Sequence, residues 1–361
     1  MRTRSRSPLA LTIALAIVAA ACAGPSGEPA DPSRPKVAFF QDLSVEDPLD
    51  LVSPSFLAME AGLDQAVAGG IDAVPELVQF DTGGDRAAAL ESAREVATDD
   101  AFVAVVVAPF WTLPDDVAEV FADAGLAVLS LSDGPRPGAP GLVWRRFVAP
   151  APAQAEELAA RGEASTGGTV CVIADDTPRA VALAASVQEA LGTRAIRRTA
   201  TSVDGCGAVI WTGGSSGAAT LRGAIPRTPL VVGDAAKTAA YLDAALPGSD
   251  GTVAVCPCVD VATATDLSAR RFVNGYQATT GLAPGVFAAE GWDVASLLAE
   301  LAADRVAPAV DRAAYLDAIG TVTAVPGAGG GIAFDALGEP LGDAAKADAS
   351  EAAGRRWLPL G

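Results

Sequence analysis

The stretch FVAVVVAPFWT, residues 102–112, carries the clearest strand signal in the chain. Its apolar part, 103–107, is an unbroken run rich in valine, and it is too short for a typical helix. Such runs are typical of strands that are buried on both faces of a parallel sheet. Small and polar residues follow the run at once, as expected where a strand ends at a sheet edge.

The same kind of apolar run recurs along the chain and alternates with amphipathic stretches. The other predicted strands are 37–40, 77–80, 127–129, 169–173, 208–211, 229–232 and 251–255. Helical spacing of apolar residues predicts helices over 53–67, 87–96, 117–124, 180–191, 218–225, 268–279 and 293–303. This alternation predicts an α/β fold built from parallel sheets flanked by helices.

The strand–helix units fall into two comparable sets, one before residue 145 and one between 165 and 258, which predicts two lobes. Segment 147–152 contains two prolines and is interpreted as a crossing between the lobes, with no room for a helix. Segment 327–340 is glycine-rich and predicts a hairpin. It lacks the lysine and the following helix of a phosphate-binding loop.

The N-terminus has the form of an export signal. Residues 1–7 are basic and polar, and the apolar run 9–21 is shorter than a membrane span. Ala19-Ala20-Ala21-Cys22 resembles the lipobox of bacterial lipoproteins, which predicts a signal peptide over 1–21 and a diacylated Cys22. The alternative is an ordinary secretory signal. Residues 22–35 are proline-rich without apolar periodicity and predict a disordered tether.

Composition excludes several classes of function. The formal net charge of −19 disfavours nucleic acid as a partner. The chain has no histidine, which excludes Ser-His-Asp and Cys-His catalysis. Asp175 and Asp176 are a conspicuous acidic pair, but adjacent side chains point apart. We therefore predict a non-enzyme that uses no cofactor and no metal.

Export to an oxidising compartment makes disulfides possible. The chain has five cysteines, and with Cys22 lipidated the other four allow three pairings. Cys171 and Cys206 lie in or beside runs that can be neighbours in a sheet, so their bridge is favoured. Cys256 and Cys258 would then form a tight pair or remain as buried thiols.

Residues just after the predicted strands are the candidates for a site, because ligands of open parallel sheets bind beyond the strands' carboxyl ends. These residues are small, polar or acidic, which predicts a small-molecule cleft with an acidic rim. Trp111 is interpreted as an apolar wall or as packing. The N–H groups at Ser215 and the side chain of Arg179 are candidates for binding a ligand carboxylate.

Several motifs together resemble the type 1 periplasmic binding proteins, specifically the branched-chain amino acid substrate-binding proteins of ABC importers. The resemblance runs nearly end to end. It is most specific in Arg271-Phe272-Val273-Asn274-Gly275-Tyr276, in Ala288-Ala289-Glu290-Gly291-Trp292-Asp293-Val294, and in the closing Gly331-Ile332-Ala333-Phe334-Asp335-Ala336-Leu337-Gly338.

The resemblance implies two hinged lobes with three crossings: lobe one from 36–146 plus 261–325, and lobe two from 147–260 plus 326–361. It implies ligand contacts at Thr112, at Ser132, Asp133 and Gly134, and an ammonium-binding acid at Asp234. The family's threonine at the end of the fourth loop is Gly134 here, and its early second-lobe aromatic falls in 177–179. Thr112, Ser132 and Asp234 could instead cap the helices that follow them.

The implied protein is a monomeric, lipid-anchored receptor on the extracytoplasmic face of the membrane. It would close on a small polar ligand, such as an amino acid, and deliver it to an ABC permease. The alternative is a sensor or structural lipoprotein on the same scaffold with a divergent cleft, motivated by the two departures from the family pattern.

Overall fold

The computed structural model describes residues 34–197, 203–261, 267–304 and 311–360. The predicted signal peptide, the lipidation site Cys22 and the tether up to residue 33 lie outside these residues. None of the helices in the described ranges combines the length and the apolar character needed to cross a membrane.

Each apolar run predicted from the sequence forms a strand, and several further strands were not predicted. The strands are β1 (Lys36–Gln41), β2 (Glu76–Asp81), β3 (Phe102–Val107), β4 (Ala127–Ser130), β5 (Trp144–Arg146), β6 (Val170–Ile173), β7 (Ala195–Arg197), β8 (Ala208–Trp211), β9 (Leu230–Gly233), β10 (Val253–Cys256), β11 (Ala324–Val325), β12 (Ile332–Phe334), β13 (Pro340–Leu341), β14 (Asp348–Ala353) and β15 (Arg356–Pro359).

The predicted helices are also present. The helices are α1 (Pro48–Leu51), α2 (Ser53–Ala68), α3 (Arg86–Thr98), α4 (Asp115–Asp123), α5 (Ala151–Ala164), α6 (Pro178–Leu191), α7 (Ser215–Ala224), α8 (Ala239–Ala244), α9 (Leu267–Thr280), α10 (Ala288–Asp304) and α11 (Arg312–Thr321). The prediction of no helix around 147–152 is wrong at its end, because Ala151 and Pro152 open α5. Proline is tolerated in a first helical turn, where its missing N–H has no intrahelical acceptor.

The first sheet has the order β2-β1-β3-β4-β5, and all its strands are parallel. Side chains alternate between its faces: Val37 and Phe39 pack on one side, and Ala38 and Phe40 on the other. Helices α2, α10 and α11 cover the first side, while α3 and α4 cover the second. Burial on both faces explains why these strands are unbroken apolar runs.

The second sheet has the order β15-β14-β10-β9-β8-β6-β7. Its strands β6 to β10 are parallel, whereas β14 and β15 add an antiparallel edge. Helices α5 and α6 cover one face, and α7 and α8 cover the other. The two parallel sheets flanked by helices confirm the predicted fold class.

A small antiparallel sheet, β11-β12-β13, contains the predicted glycine-rich hairpin. Its residues Ile332 and Phe334 pack into the core of the first lobe. The chain enters the second sheet at β14. We therefore place the third crossing between Leu341 and Asp348, rather than at residue 325.

The crossings between the two lobes lie side by side. The first, near Ala149, donates its backbone N–H to the carbonyl of Pro257 in the second, at 2.9 Å. The second crossing is bonded to the third through the N–H of Asp260 and the carboxylate of Asp348, at 2.9 Å. The loops at the carboxyl ends of both sheets face one another, since Arg179 contacts Asp133 and Ala239 contacts Asp50. The region between these loops is called the cleft below.

Candidate functional site

Arg179 lies at the centre of the cleft and bonds to both lobes. It stands near the start of α6, and its Nη2 donates to Asp133 Oδ2 at 2.8 Å, in the loop after β4. The same nitrogen donates to Asp234 after β9, at 3.1 Å to Oδ1 and 2.8 Å to Oδ2. Asp133 belongs to the first lobe and Asp234 to the second, so one side chain bridges the cleft.

The guanidinium of Arg179 also lies over the ring of Phe110, at 4.6 Å from the ring centroid. Phe110 follows β3 and has φ of 66°, a left-handed backbone conformation that is uncommon for an aromatic residue. Phe287 packs edge-on against Phe110, with the two ring centroids 5.6 Å apart and an angle of 89° between the ring planes. Phe110 thus forms one wall around the cation, an arrangement that favours a positive charge.

Asp234 is fully buried, with 0% of its surface exposed. Besides Arg179, its Oδ1 accepts a hydrogen bond from Gln154 Nε2 at 2.9 Å, and that nitrogen also donates to the carbonyl of Val255 at 3.0 Å. Burial raises the pKa of the Asp234 carboxyl, and the positive charge of Arg179 opposes that rise. Burial alone would lower the pKa of the Arg179 guanidinium. The negative charges of Asp133 and Asp234 outweigh the effect of burial, so this pKa is raised.

The predicted first-lobe contacts, Thr112, Ser132 and Gly134, are brought together. Ser132 Oγ accepts from the N–H of Gly134 at 3.2 Å. A Cβ added to Gly134 would lie 2.8 Å from Thr112 Oγ1 and 3.3 Å from Ser132 Oγ. A threonine at this position, as in the family pattern, would therefore collide with Thr112, so the close approach requires glycine.

Arg146, which sequence reasoning missed, holds the loop of Ser132 in place. Its side chain is 2% exposed and donates Nη1 to the Ser132 carbonyl at 2.5 Å and Nε to Glu339 Oε2 at 2.6 Å. The signal in the sequence is a pair of arginines, Arg145 and Arg146, between the apolar Trp144 and Phe147, because a charge within an apolar stretch requires partners.

The helix start at Ser215, predicted to bind a ligand carboxylate, binds carboxylates of the chain itself. The N–H of Ser216 donates to Glu46 Oε1 at 3.1 Å, and Ser215 Oγ donates to Asp47. The N–H of Gly214 donates to Asp175 Oδ2 at 2.9 Å. Glu46 and Asp47 precede α1 in the first lobe, so this contact closes the rim of the cleft.

A second rim contact lies beside it. Asp50 of α1 accepts a hydrogen bond at 2.9 Å from the N–H of Ala239, at the start of α8 in the second lobe. Carboxylates at helix N-termini are favoured by the unpaired N–H groups and the helix dipole. The two lobes are thus in contact at the rim and at the centre of the cleft.

Two residues that were predicted to contact a ligand make contacts within the protein instead. Trp111 lies in the core of the first lobe, 6% exposed and stacked on Phe40 with ring centroids 5.6 Å apart. Arg179, the candidate for a ligand carboxylate, has its Nη2 bonded to Asp133 and Asp234. The cleft residues that were missed as contacts are Gln154, whose signal is a lone polar residue on an apolar helix face, and Glu46.

Both remaining cysteine pairs are disulfides. Cys171 and Cys206 are joined with Cα atoms 5.7 Å apart, the pairing favoured from the sequence. Cys256 and Cys258 are joined as well and lie in the second crossing, buried beside Val148 and Phe287. The second crossing is also held by Glu290 of α10, whose Oε1 accepts from the N–H of Val259 at 2.5 Å.

Comparisons with known proteins are informative at the level of structure. A scan against models of protein families gave no match, and a search of curated proteins gave none either. Among solved structures, the chain is similar to the branched-chain amino acid transporter substrate-binding protein LivJ of Streptococcus pneumoniae in complex with isoleucine. That match has a TM-score of 0.73 at 17% identity and covers 91% of this chain and 99% of the other.

Two further solved structures show the range of ligands among the neighbours. An ABC transporter substrate-binding protein of Desulfitobacterium hafniense in complex with Leu matches with a TM-score of 0.67 at 18% identity, covering 91% of this chain and 99% of the other. A solute-binding protein of R. palustris in complex with benzoate matches with a TM-score of 0.65 at 16% identity, covering 91% and 96%.

These likenesses define the fold: the chain has the two-lobed architecture of type 1 periplasmic binding proteins. Many of its structural neighbours are branched-chain amino acid substrate-binding proteins of ABC transporters. The resemblance identified from the sequence motifs is confirmed in the fold.

Proposed function

We propose that the protein is an extracytoplasmic solute-binding protein that closes on a small polar ligand and delivers it to an ABC importer. The observation that carries this proposal is the cleft itself. Polar loops from the strand ends of two lobes face each other across adjacent crossings, which is the arrangement of hinged ligand-binding proteins. The neighbours bind leucine, isoleucine or benzoate, and this range supports a small organic ligand.

The ligand contacts in this proposal come from both lobes. Thr112, Ser132, Asp133 and Gly134 supply hydroxyl, carboxylate and N–H groups from the first lobe. Arg179 and Asp234 supply charged groups from the second, and Ser215 is available to a ligand only where its contact with Asp47 is broken. Trp111 stacks on Phe40 in the first-lobe core, directly before Thr112 in sequence.

A thermal-shift screen of the purified protein against amino acids, amides, polyamines, purines and short peptides tests the proposal. A ligand at a hundred times its dissociation constant stabilises the folded state by about 2.7 kcal/mol. The shift should disappear in Asp234→Asn and persist in Asp176→Asn, whose exposed side chain makes no hydrogen bond or ion pair with the described residues. A full panel without any saturable shift would contradict a solute receptor.

We also propose that Cys22 is diacylated and anchors the protein to the extracytoplasmic face of the membrane. This rests on the small residues before Cys22 and on the proline-rich segment that follows it. Cys22→Ser should move the protein from the membrane fraction to the soluble fraction and abolish labelling by a fatty-acid analogue. Equal membrane association of both forms would overturn the anchor.

A ligand sensor on the same scaffold is the second candidate, and one observation favours it. Asp234, which the resemblance assigns to the ammonium group of a ligand, is already paired with Arg179. Uptake of a radiolabelled hit by cells with and without the protein separates the two functions. Uptake that depends on the protein supports transport, whereas binding without any effect on uptake supports a sensor.

A further inference from the structure

The centre of the cleft has the chemistry of a cation site. Asp133 and Asp234 present carboxylates from opposite lobes, and the ring of Phe110 covers the space between them. Two carboxylates and an aromatic face are the groups that bind guanidinium and ammonium ions. The cation in that place is the side chain of Arg179.

Two buried polar atoms around the ion pair of Arg179 and Asp234 have no hydrogen-bond partner among the described residues. Gln154 is fully buried, and while its Nε2 donates to Asp234, its Oε1 has no hydrogen-bond partner among the described residues. The Nε of Arg179 is likewise buried without a partner. The chain's own groups thus leave polar atoms of Arg179 and of Gln154, the residue bonded to Asp234, without a partner.

The position of Arg179 also affects the relation of the two lobes. It is anchored on α6 in the second lobe, and its ion pair with Asp133 of the first lobe is 2.8 Å long. Asp133 is 7% exposed and Asp234 0%, so removing the cation would leave two buried carboxylates facing each other. Two buried carboxylates that share one cation repel each other once that cation is removed, and this repulsion favours separation of the lobes.

We propose that Arg179 is a built-in cation that takes the place of a ligand's positively charged group, holds the cleft closed without ligand, and excludes ligands that carry an ammonium or guanidinium group. The natural ligand is then one without a positive charge. This inference deepens the proposed function, on which it rests for the identification of the cleft as the ligand site.

Chemical rescue of Arg179→Ala by methylguanidinium tests the proposal. We expect Arg179→Ala to have a larger radius of gyration by small-angle X-ray scattering and a lower thermal midpoint than the wild type. Millimolar methylguanidinium should restore both in a saturable way. We expect its affinity for the variant to exceed that for the wild type by about tenfold or more, since the variant alone offers both carboxylates.

Matched controls separate a specific site from general charge effects. Arg179→Lys keeps a cation in place and should not respond to methylguanidinium. Arg179→Ala combined with Asp234→Asn should lose the rescue, and sodium chloride at equal ionic strength should not reproduce it. If Arg179→Ala fails to fold, Arg179→Met keeps the apolar stem and is used in its place.

An unchanged radius and midpoint in Arg179→Ala would overturn the proposal, and so would an equal response of wild type and variant to methylguanidinium. These measurements need no natural ligand. They can therefore fail while the screen described above finds one, or succeed while that screen finds none. A wild-type hit that carries an ammonium group and is lost in Asp234→Asn would support the solute receptor and overturn the exclusion.

Discussion

Glu46 accepts a hydrogen bond from the backbone N–H of Ser216 at 3.1 Å, and this contact joins two residues that are 170 positions apart in sequence and lie in different lobes. The carboxylate lies at the start of α7, where unpaired N–H groups favour a negative charge. The start of α7, which the sequence predicts to bind a ligand carboxylate, is therefore bonded to a carboxylate of the protein itself.

We expect Glu46→Ala to shift the unliganded protein towards an open form. The contact of an exposed carboxylate with a helix N-terminus contributes about 0.5–1 kcal/mol, and salt weakens it. Fluorescence energy transfer between dyes on the two lobes should report a larger open fraction in Glu46→Ala, and the difference from wild type should shrink at high ionic strength.

Asp176→Ala is the matched control for this change. Asp176 is an exposed acid of the second-lobe rim and makes no hydrogen bond or ion pair with the described residues. We expect its removal to leave the energy transfer unchanged. An equal shift in both variants would attribute opening to net charge rather than to the contact with Ser216.

Helix packing in the first lobe gives a second prediction. A Cβ on Gly291 of α10 would lie 2.2 Å from the backbone oxygen of Ser55 in α2, so Gly291→Ala forces the two helices apart. We expect a loss of about 2 kcal/mol or more in the free energy of unfolding, measured with urea. Helix propensity alone would predict the opposite sign.

Gly223 is the matched glycine. It lies in α7, is exposed, and a Cβ added there would meet no atom within 4 Å. Gly223→Ala should raise the free energy of unfolding by about 0.5–1 kcal/mol. Stabilisation by both substitutions would show that α2 and α10 are less closely packed than the structure has them.

Much of the scaffold follows from sequence because burial on both faces of a parallel sheet demands unbroken apolar runs. The strands around Val105, Val172 and Val231 are visible for that reason. Short edge strands such as β5 and β7 were missed, since few residues carry their pattern. Helix α5 was missed because Pro150, just before it, and Pro152, in its first turn, masked a start that tolerates them.

The cleft was predicted less completely, and the reason is physical. Strand ends indicate where polar side chains gather, so Asp133, Asp234 and Arg179 were placed correctly in one region. Which of them pair with one another depends on how the lobes meet, and no local pattern records that. The contacts of Glu46 and Gln154 join residues that are distant in the chain, and they emerge from the packing of the whole fold.

The two disulfides are expected to differ in their contribution to stability. The Cys171–Cys206 bridge closes a sequence separation of 35 residues, and the Cys256–Cys258 bridge one of 2. In the loop-entropy description, the longer loop contributes about 4 kcal/mol and the shorter about 2 kcal/mol or less. Urea unfolding of Cys171→Ala/Cys206→Ala and of Cys256→Ala/Cys258→Ala should show this order. A larger loss for the second pair would show that its place in the crossing matters more than loop length.

Glu290 gives a pH-dependent prediction. Its side chain is 1% exposed on α10, and its Oε2 has no partner among the described residues. The pKa of the Glu290 carboxyl is raised to about 7, chiefly by burial. The negative charge of Asp348 also raises this pKa, whereas the N–H groups of Val259 and of Glu290 itself and the positive charge of Lys237 lower it. Asp293 faces it on the same helix, and burial raises the pKa of that carboxyl as well.

The sign follows from proton uptake. Between the ordinary pKa of 4.5 and the folded value of about 7, the folded protein binds more protons at Glu290 than the unfolded chain does. This group therefore lowers stability as pH rises through that window. Glu290→Gln removes the effect, so the variant should be more stable than wild type above pH 7, by an amount on the order of 3 kcal/mol.

The measurement is the free energy of unfolding in urea as a function of pH for both proteins. Their difference should shrink as the pH falls through 4.5, because the wild-type carboxyl is then protonated in the folded state and becomes protonated in the unfolded chain as well. Glu95→Gln makes the same chemical change at an exposed position of α3 and should leave the profile parallel to that of wild type. A pH-independent difference between Glu290→Gln and wild type would mean that the substitution acts through the contact with Val259 and not through the charge.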